Sequence, residues 1–192
     1  MAKSMYRDHL LDLLDDYARR HTAEQDCARQ IGDFVRGRKD CFLRSCKKGH
    51  VTGSAWVVSS DGSSSLLLHH RKLGKWLQPG GHVDGEPEVY RSVLREVQEE
   101  TGLWDLRFEV DPAGGIRPFD LDIHTIPAID GEPRHNHYDI RFLLVAADGQ
   151  ALSPNDESLD LRWCTWDEIE GLTREESVLR MARKARSLLH GV

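Results

Sequence analysis

The sequence predicts an α/β fold: an α/β/α sandwich around a mixed sheet, with an N-terminal helical extension. Three observations predict it. From His50 onward, short β-like runs succeed one another between turn residues. Two helical patterns, one within the stretch 80–103 and one at roughly 174–190, each carry apolar residues on one side. Ahead of all of these, residues 4–36 read as helix without a strand signal. Mixed strands with a helix on each face make a three-layer sandwich. The change of pattern divides the chain into an extension, 1–47, and an α/β domain, 48–192.

In the extension, Leu10, Leu11, Leu13 and Leu14 form an apolar stripe among Asp and Arg residues. Thr22-Ala23-Glu24-Gln25 reads as the start of a second helix, which leads to Ile31, Phe34 and Val35. This pair of helices is expected to pack on the domain, to contact a second copy of the chain as a homodimer, or to close over substrate. Strand signals follow at 51–59 and 65–69, joined by a Ser60-Asp61-Gly62 turn as a hairpin. Further runs lie at 73–77, 104–110, 116–126, 137–146 and 160–165. The last helix carries Val178, Leu179, Met181, Ala182 and Leu188 among Arg and Lys.

With 192 residues, 26 basic and 32 acidic, the chain has a formal charge of −6. It offers no basic stripe for a nucleic-acid duplex. The first twenty residues contain no apolar run long enough for a signal peptide or a membrane span. Cys27, Cys41, Cys46 and Cys164 lack CxxC spacing, which suggests free thiols and a cytoplasmic protein.

The chemistry concentrates between Gly80 and Leu103. On a helix, Glu96, Glu99 and Glu100 stand at i, i+3 and i+4, so three carboxylates share one face and repel one another. A divalent cation reverses that sign, because Mg²⁺ favours carboxylate oxygens. Val89, Val93 and Val97 recur every four residues and face a core. Gly102 supplies the C-terminal stop, and Gly80-Gly81 allows close backbone approach. A solvated acidic face is the plain alternative, but it does not explain the ordered set of Gly-Gly, Arg-Glu, Glu-Glu and Gly-Leu.

This stretch resembles the signature of the Nudix hydrolase family: Gly, five residues, Glu, seven residues, Arg-Glu, an aliphatic, any residue, Glu-Glu, any residue, Gly, aliphatic. Gly81, Arg95, Glu96, Val97, Glu99, Glu100, Gly102 and Leu103 match it. The first Glu of the signature falls instead on Pro87, between Glu86 and Glu88. In the family that Glu supports the loop and helix, and Pro is tolerated in a helix's first turn.

The resemblance implies metal-dependent cleavage of a diphosphate linkage in a small nucleoside diphosphate derivative. Nucleotide sugars, ADP-ribose and nucleoside triphosphates are the substrates in view. It implies that Glu96, Glu99 and Glu100, with the carbonyl of Gly80, hold Mg²⁺ or Mn²⁺, and that Arg95 orients the glutamates. A further carboxylate normally precedes a late strand, and Glu157 in Asn155-Asp156-Glu157-Ser158 stands there as a fourth acidic ligand or general base. Its alternative is a solvated loop acid. Arg71, Lys72 and Lys75 precede the Gly-Gly pair and could meet phosphates, or remain surface charge. Trp76 could stack on a base or belong to the core. Specificity is expected in 111–136 and the N-terminal helices, although neither 111–115 nor 130–133 spells a base-recognition code.

Histidines form a second constellation. His135 and His137, at i and i+2, share a strand face. His50 opens the first strand and His82 follows Gly81. This layout resembles isopentenyl diphosphate isomerase, a Nudix relative that gathers histidines at the first two places and acids at the last pair around a divalent metal. Four imidazoles suit Zn²⁺, Mn²⁺ or Fe²⁺ better than Mg²⁺, so a second, transition-metal site is an expectation. Separate roles in loop structure and backbone bonding are the alternative.

Three functions of different class are weighed. The intact glutamates favour a hydrolase over a non-catalytic ligand-binding module, which Pro87 alone supports. The isomerase's catalytic Cys falls on Gly80, which opposes isomerase chemistry.

Overall fold

The structure is a computed structural model that describes residues 2–128, 131 and 133–191, and only the backbone of residues 2–5. Part of the expected specificity segment, Ile129, Asp130 and Glu132, lies outside the described residues. Helices α1 (Ala2–Arg20) and α2 (Gln25–Gly37) come first, joined by a 3-10 turn at Thr22–Glu24. Strands β1 (Gly49–Val58), β2 (Ser64–His70), β3 (Lys75–Leu77) and β4 (Gly80–His82) precede helix α3 (Val89–Thr101). Then come β5 (Leu106–Phe108), β6 (Asp120–Ile126), β7 (His135–Ala146), β8 (Ser158–Thr165), α4 (Trp166–Leu172) and α5 (Glu176–His190).

The eight strands form one mixed sheet. Its axis is the parallel pair β1 and β7, in register from Gly49 opposite Asn136 to Val58 opposite Val145. The remaining pairs are antiparallel: β1 with β2 and β4, β7 with β5 and β6, and β2 with β3 and β8. Every residue of β1 is buried, so pleating sends alternate side chains into two different cores. Val51, Ala55 and Val57 join Val89, Val93 and Val97 of α3 on one side, together with Leu10, Leu14, Tyr17, Ile31 and Val35. Trp56 and Val58 join Leu143, Val145, Ile169, Val178, Met181 and Ala185 on the other. The N-terminal helices therefore share the core of the signature helix. No helix among the described residues is long and apolar enough to cross a membrane.

The structure amends several local expectations. Thr22 does not start α2: Glu24 is the residue before the helix, and no side chain caps it. Residues Thr22–Glu24 form a 3-10 turn instead, and the Glu24 carboxylate meets the Tyr17 hydroxyl and Lys184 Nζ, the latter at 2.7 Å. The Gly-Gly segment is not a free loop, because Ser54, Gly53 and Thr52 of β1 pair with Gly80, Gly81 and His82. Pro87 is outside α3, ahead of the N-cap residue Glu88. Helix α4 was absent from the sequence reading, although Thr165 and Glu168 form a full capping box at its start. The expected strand 104–110 shrinks to three residues, and α5 begins at Glu176 rather than 174.

Candidate active site

Helix α3 presents its acids to β4. Gly102, in the left-handed conformation with φ 75°, ends the helix as its N–H donates to the carbonyl of Gln98. Two residues earlier, Glu100 Oε2 accepts the Gly80 N–H at 2.7 Å. A Cβ at Gly81 would meet Glu96 Oε2 at 2.6 Å, and one at Gly80 would meet Ser54 Cα at 2.4 Å. Only glycine lets the strand lie this close to both the carboxylates and β1.

Arg95 spans the acids. Its Nη1 is 2.9 Å from Glu96 Oε1 and 3.1 Å from Glu99 Oε2, while Nη2 donates to the carbonyl of His82 at 3.0 Å. Burial drives the Glu100 carboxyl up to about 8; the charges of Glu96, Glu157 and Glu99 push the same way, and the Gly80 N–H opposes. Glu96 is also raised by burial, against the pull of Arg95. Such a group of partly desolvated oxygens matches the donor chemistry of a hard divalent cation.

Glu157 is exposed on the loop before β8, and its charge acts on Glu100. Its loop is held by Arg71, whose N–H donates to the Glu157 carbonyl at 2.8 Å. The Arg71 guanidinium donates to the carbonyls of Asp156 and Ser158 at 2.7 and 3.1 Å. Lys75 pairs with Glu175 at 2.8 Å, on α5's side of the sheet. Trp76 is half-buried against the second core, its ring stacked on His69 at 5.1 Å with the Arg162 guanidinium over it at 5.8 Å. At the start of α3, Glu86 accepts the Glu88 N–H, and Glu88 accepts the Tyr90 hydroxyl, each at 2.9 Å. The acids flanking Pro87 thus brace the loop and helix start.

The sheet brings all four predicted histidines together. His50 and His137 are register partners across the parallel pair. The His50 ring lies 5.0 Å from His82, 5.1 Å from His135 and 4.7 Å from His137. Burial, the Arg44 charge and the neighbouring imidazoles hold His82 down at about 4, and burial with the surrounding imidazoles holds His137 at about 2, so both rings are neutral at physiological pH.

Two residues near these groups escaped the sequence reading. His124 is the β6 partner of His137, its ring edge-on at 5.3 Å; the short segment between the two strands was the signal for that pairing. Asp84, with φ 48° in the turn after β4, adds its charge to both Glu96 and His82. A left-handed non-glycine residue beside such a group marks a place where backbone strain is tolerated. A cavity of about 880 Å³ lies elsewhere, lined by Arg20, His21, Asp111, Arg117, Phe119 and Lys184, and it contains none of the signature acids.

A mixed sheet between helical layers carries an acid-bearing helix docked on a glycine strand. Comparison with known proteins gives the class. A model of the NUDIX domain matches residues 50–185. YvcI of Bacillus subtilis, an uncharacterized Nudix hydrolase, is 30% identical over 131 residues, 66% of this chain and 75% of its own length. A Mycobacterium tuberculosis protein provisionally named 8-oxo-dGTP diphosphatase 3 is 32% identical over 119 residues. That match takes in 58% of this chain and 49% of the longer relative. Among solved structures, a NUDIX-family hydrolase from Clostridium perfringens superposes with a TM-score of 0.60 at 24% identity, over 73% of this chain and 98% of its own. The Caenorhabditis elegans Ap4A hydrolase gives 0.59 at 18% identity, over 74% and 98%. These two show the fold. The chain belongs to the NUDIX domain family, and its enzymatic class is that of a Nudix hydrolase.

Proposed function

We propose that this protein hydrolyses the diphosphate linkage of a small nucleoside diphosphate derivative in a reaction dependent on Mg²⁺ or Mn²⁺. The observation that carries the reading is the contact of Glu100 with Gly80, which gathers the signature acids against a glycine strand whose backbone only glycine allows so close. Glu96, Glu99, Glu100 and the carbonyl of Gly80 are the residues that would hold the cation. Bound there, it neutralises phosphate charge and acidifies water. Arg95 keeps Glu96 and Glu99 apart and aimed. Glu157 takes the proton of the attacking water as the new phosphorus–oxygen bond forms and the diphosphate bridge breaks, with the bridging oxygen leaving on the second phosphate. Arg71 positions the Glu157 loop, and Trp76 is the aromatic surface offered to a base.

The relatives' names support the nucleotide class: one carries the name of an 8-oxo-dGTP diphosphatase and one structure is an Ap4A hydrolase. We take residues 1–47 as the extension and 48–192 as the catalytic domain, a division supported by the extent of the family match. Four unpaired cysteines, three of them buried, support a cytoplasmic setting.

The test is hydrolysis of a panel of nucleotide sugars, ADP-ribose, dinucleoside polyphosphates and nucleoside triphosphates, with Mg²⁺ and with Mn²⁺, beside a Glu100→Gln control. Turnover abolished in the control establishes the reading and names the substrate. Ligand binding without turnover anywhere would replace it with that of a binding module.

A further inference from the structure

Five imidazoles meet at the end of the β1–β7 pair, a density that neither the diphosphate chemistry nor the packing of the core requires. Among the described residues, His50, His135 and His137 form a group of three whose ligand atoms all lie within 4.8 Å of one another. His50 and His135 are buried, at 3% and 8% exposure. This is no solvated surface cluster.

The tautomers favour a shared ligand. His135 Nδ1 lies 2.8 Å from the Pro133 carbonyl, which can only accept, so Nδ1 donates there and Nε2 is the ring atom left to face a cation. That Nε2 is 3.3 Å from His137 Nε2. A tetrahedral zinc shell with Zn–N of about 2.0–2.1 Å spaces its nitrogens about 3.3–3.4 Å apart, so these two already stand at ligand separation. The His50 ring closes the third side, and its terminal torsion is soft enough to take up the remaining distance. His82, 5.0 Å from the His50 ring and 5.3 Å from His137, stands at the fourth side. Outer support is present: His135 is fixed by Pro133, and His124, edge-on to His137, is fixed at Nδ1 by Asp122 Oδ2 at 3.1 Å. Partly buried imidazoles without a carboxylate in the set select a borderline first-row ion over Mg²⁺.

We propose that His50, His135 and His137, with His82 at the fourth position, bind a transition-metal ion of the zinc class at a site separate from the signature glutamates. The site does not depend on the diphosphate-hydrolase reading.

The test uses the full chain, stripped with a chelator and titrated with Co²⁺ in excess Mg²⁺ while visible absorption is followed. The wild type and Glu100→Gln are both expected to saturate at one equivalent, and Zn²⁺ to displace the Co²⁺ with loss of the absorption. A His135→Ala/His137→Ala double variant is expected to bind at least about 100-fold more weakly, since even an outer-shell partner is worth 10–100-fold. If the double variant misfolds, the single His137→Gln variant carries the same expectation. Undiminished Co²⁺ uptake in a folded histidine variant overturns the site, as does a wild type that takes up none. Loss of hydrolysis in Glu100→Gln with Co²⁺ uptake intact keeps the two sites distinct.

Discussion

Glu100 Oε2 and the Gly80 N–H are joined at 2.7 Å, and this bond links the last turn of the signature helix to the glycine strand. It also fixes a carboxylate that is 4% exposed among acids that repel it. Glu100→Gln keeps an oxygen to accept that N–H and removes the charge. The expected result is a fall in kcat of about 10²–10³-fold, the scale of losing one preorganised electrostatic group, with a thermal midpoint no lower than wild type. Activity preserved in the variant would remove Glu100 from the chemistry.

Arg71 clamps the Glu157 loop at three carbonyls: its N–H holds that of Glu157, and its guanidinium those of Asp156 and Ser158. If Glu157 is the base, Arg71→Ala lowers kcat about tenfold or more with little change in KM, because a displaced base costs rate rather than binding. Arg71→Lys does not restore it, since an ammonium cannot span two carbonyls as the planar fork does. A change confined to KM would instead assign Arg71 to phosphate binding.

Two neighbouring glycines separate stability from activity. A Cβ at Gly53 would meet Val93 Cγ2 at 2.5 Å and Val89 Cγ1 at 2.9 Å, atoms locked in the core. Gly53→Ala is expected to cost about 1–3 kcal/mol by overpacking, read as a lower midpoint in urea. At Gly81 the clash is with the Glu96 carboxylate alone, which can swing away. Gly81→Ala therefore leaves stability nearly unchanged and cuts turnover about tenfold or more by displacing Glu96. Equal destabilisation by both would contradict this division.

The helix bearing Glu96, Glu99 and Glu100 was legible because its chemistry is local: three acids, three valines and a glycine stop lie within one helical period. The strands were legible as runs but not in length. Residues 104–110 became Leu106–Phe108 because only these three stay in ladder register with β7; Glu109 adds a single N–H bond to the Leu143 carbonyl, and Val110 turns to bridge Ile116. The histidines could be listed from the sequence, but their meeting depends on the parallel register that sets His50 beside His137, a non-local pairing. His124 reaches His137 through the antiparallel β6–β7 pair, which the short connecting segment does signal. Thr22 shows the reverse failure: a good local cap signal falls on a 3-10 turn, and α2 starts three residues later without a side-chain cap.

That same edge of the sheet governs acid stability. Asp120, fully buried, meets Arg180 and Lys184 at 2.7 Å and Arg141 at 3.1 Å. Burial pushes its carboxyl up, but the Arg180 hydrogen bond and the three cations outweigh that and hold it below the ordinary range. Asp122, also raised by burial, is held down at about 2 by the His124 hydrogen bond and the charges of Arg141 and His124, with Arg180 contributing a further hydrogen bond. A carboxyl depressed in the folded state takes up its proton first in the unfolded chain, near pH 4. The stabilisation is therefore complete above about pH 4 and is lost as pH falls toward 2, amounting to about 2 kcal/mol for Asp122 alone. Urea unfolding of the wild type from pH 5 to pH 2 should show that loss, and Asp122→Asn should flatten it while starting from lower stability. Parallel profiles for the two proteins would mean that Asp122 does not contribute to the acid limb.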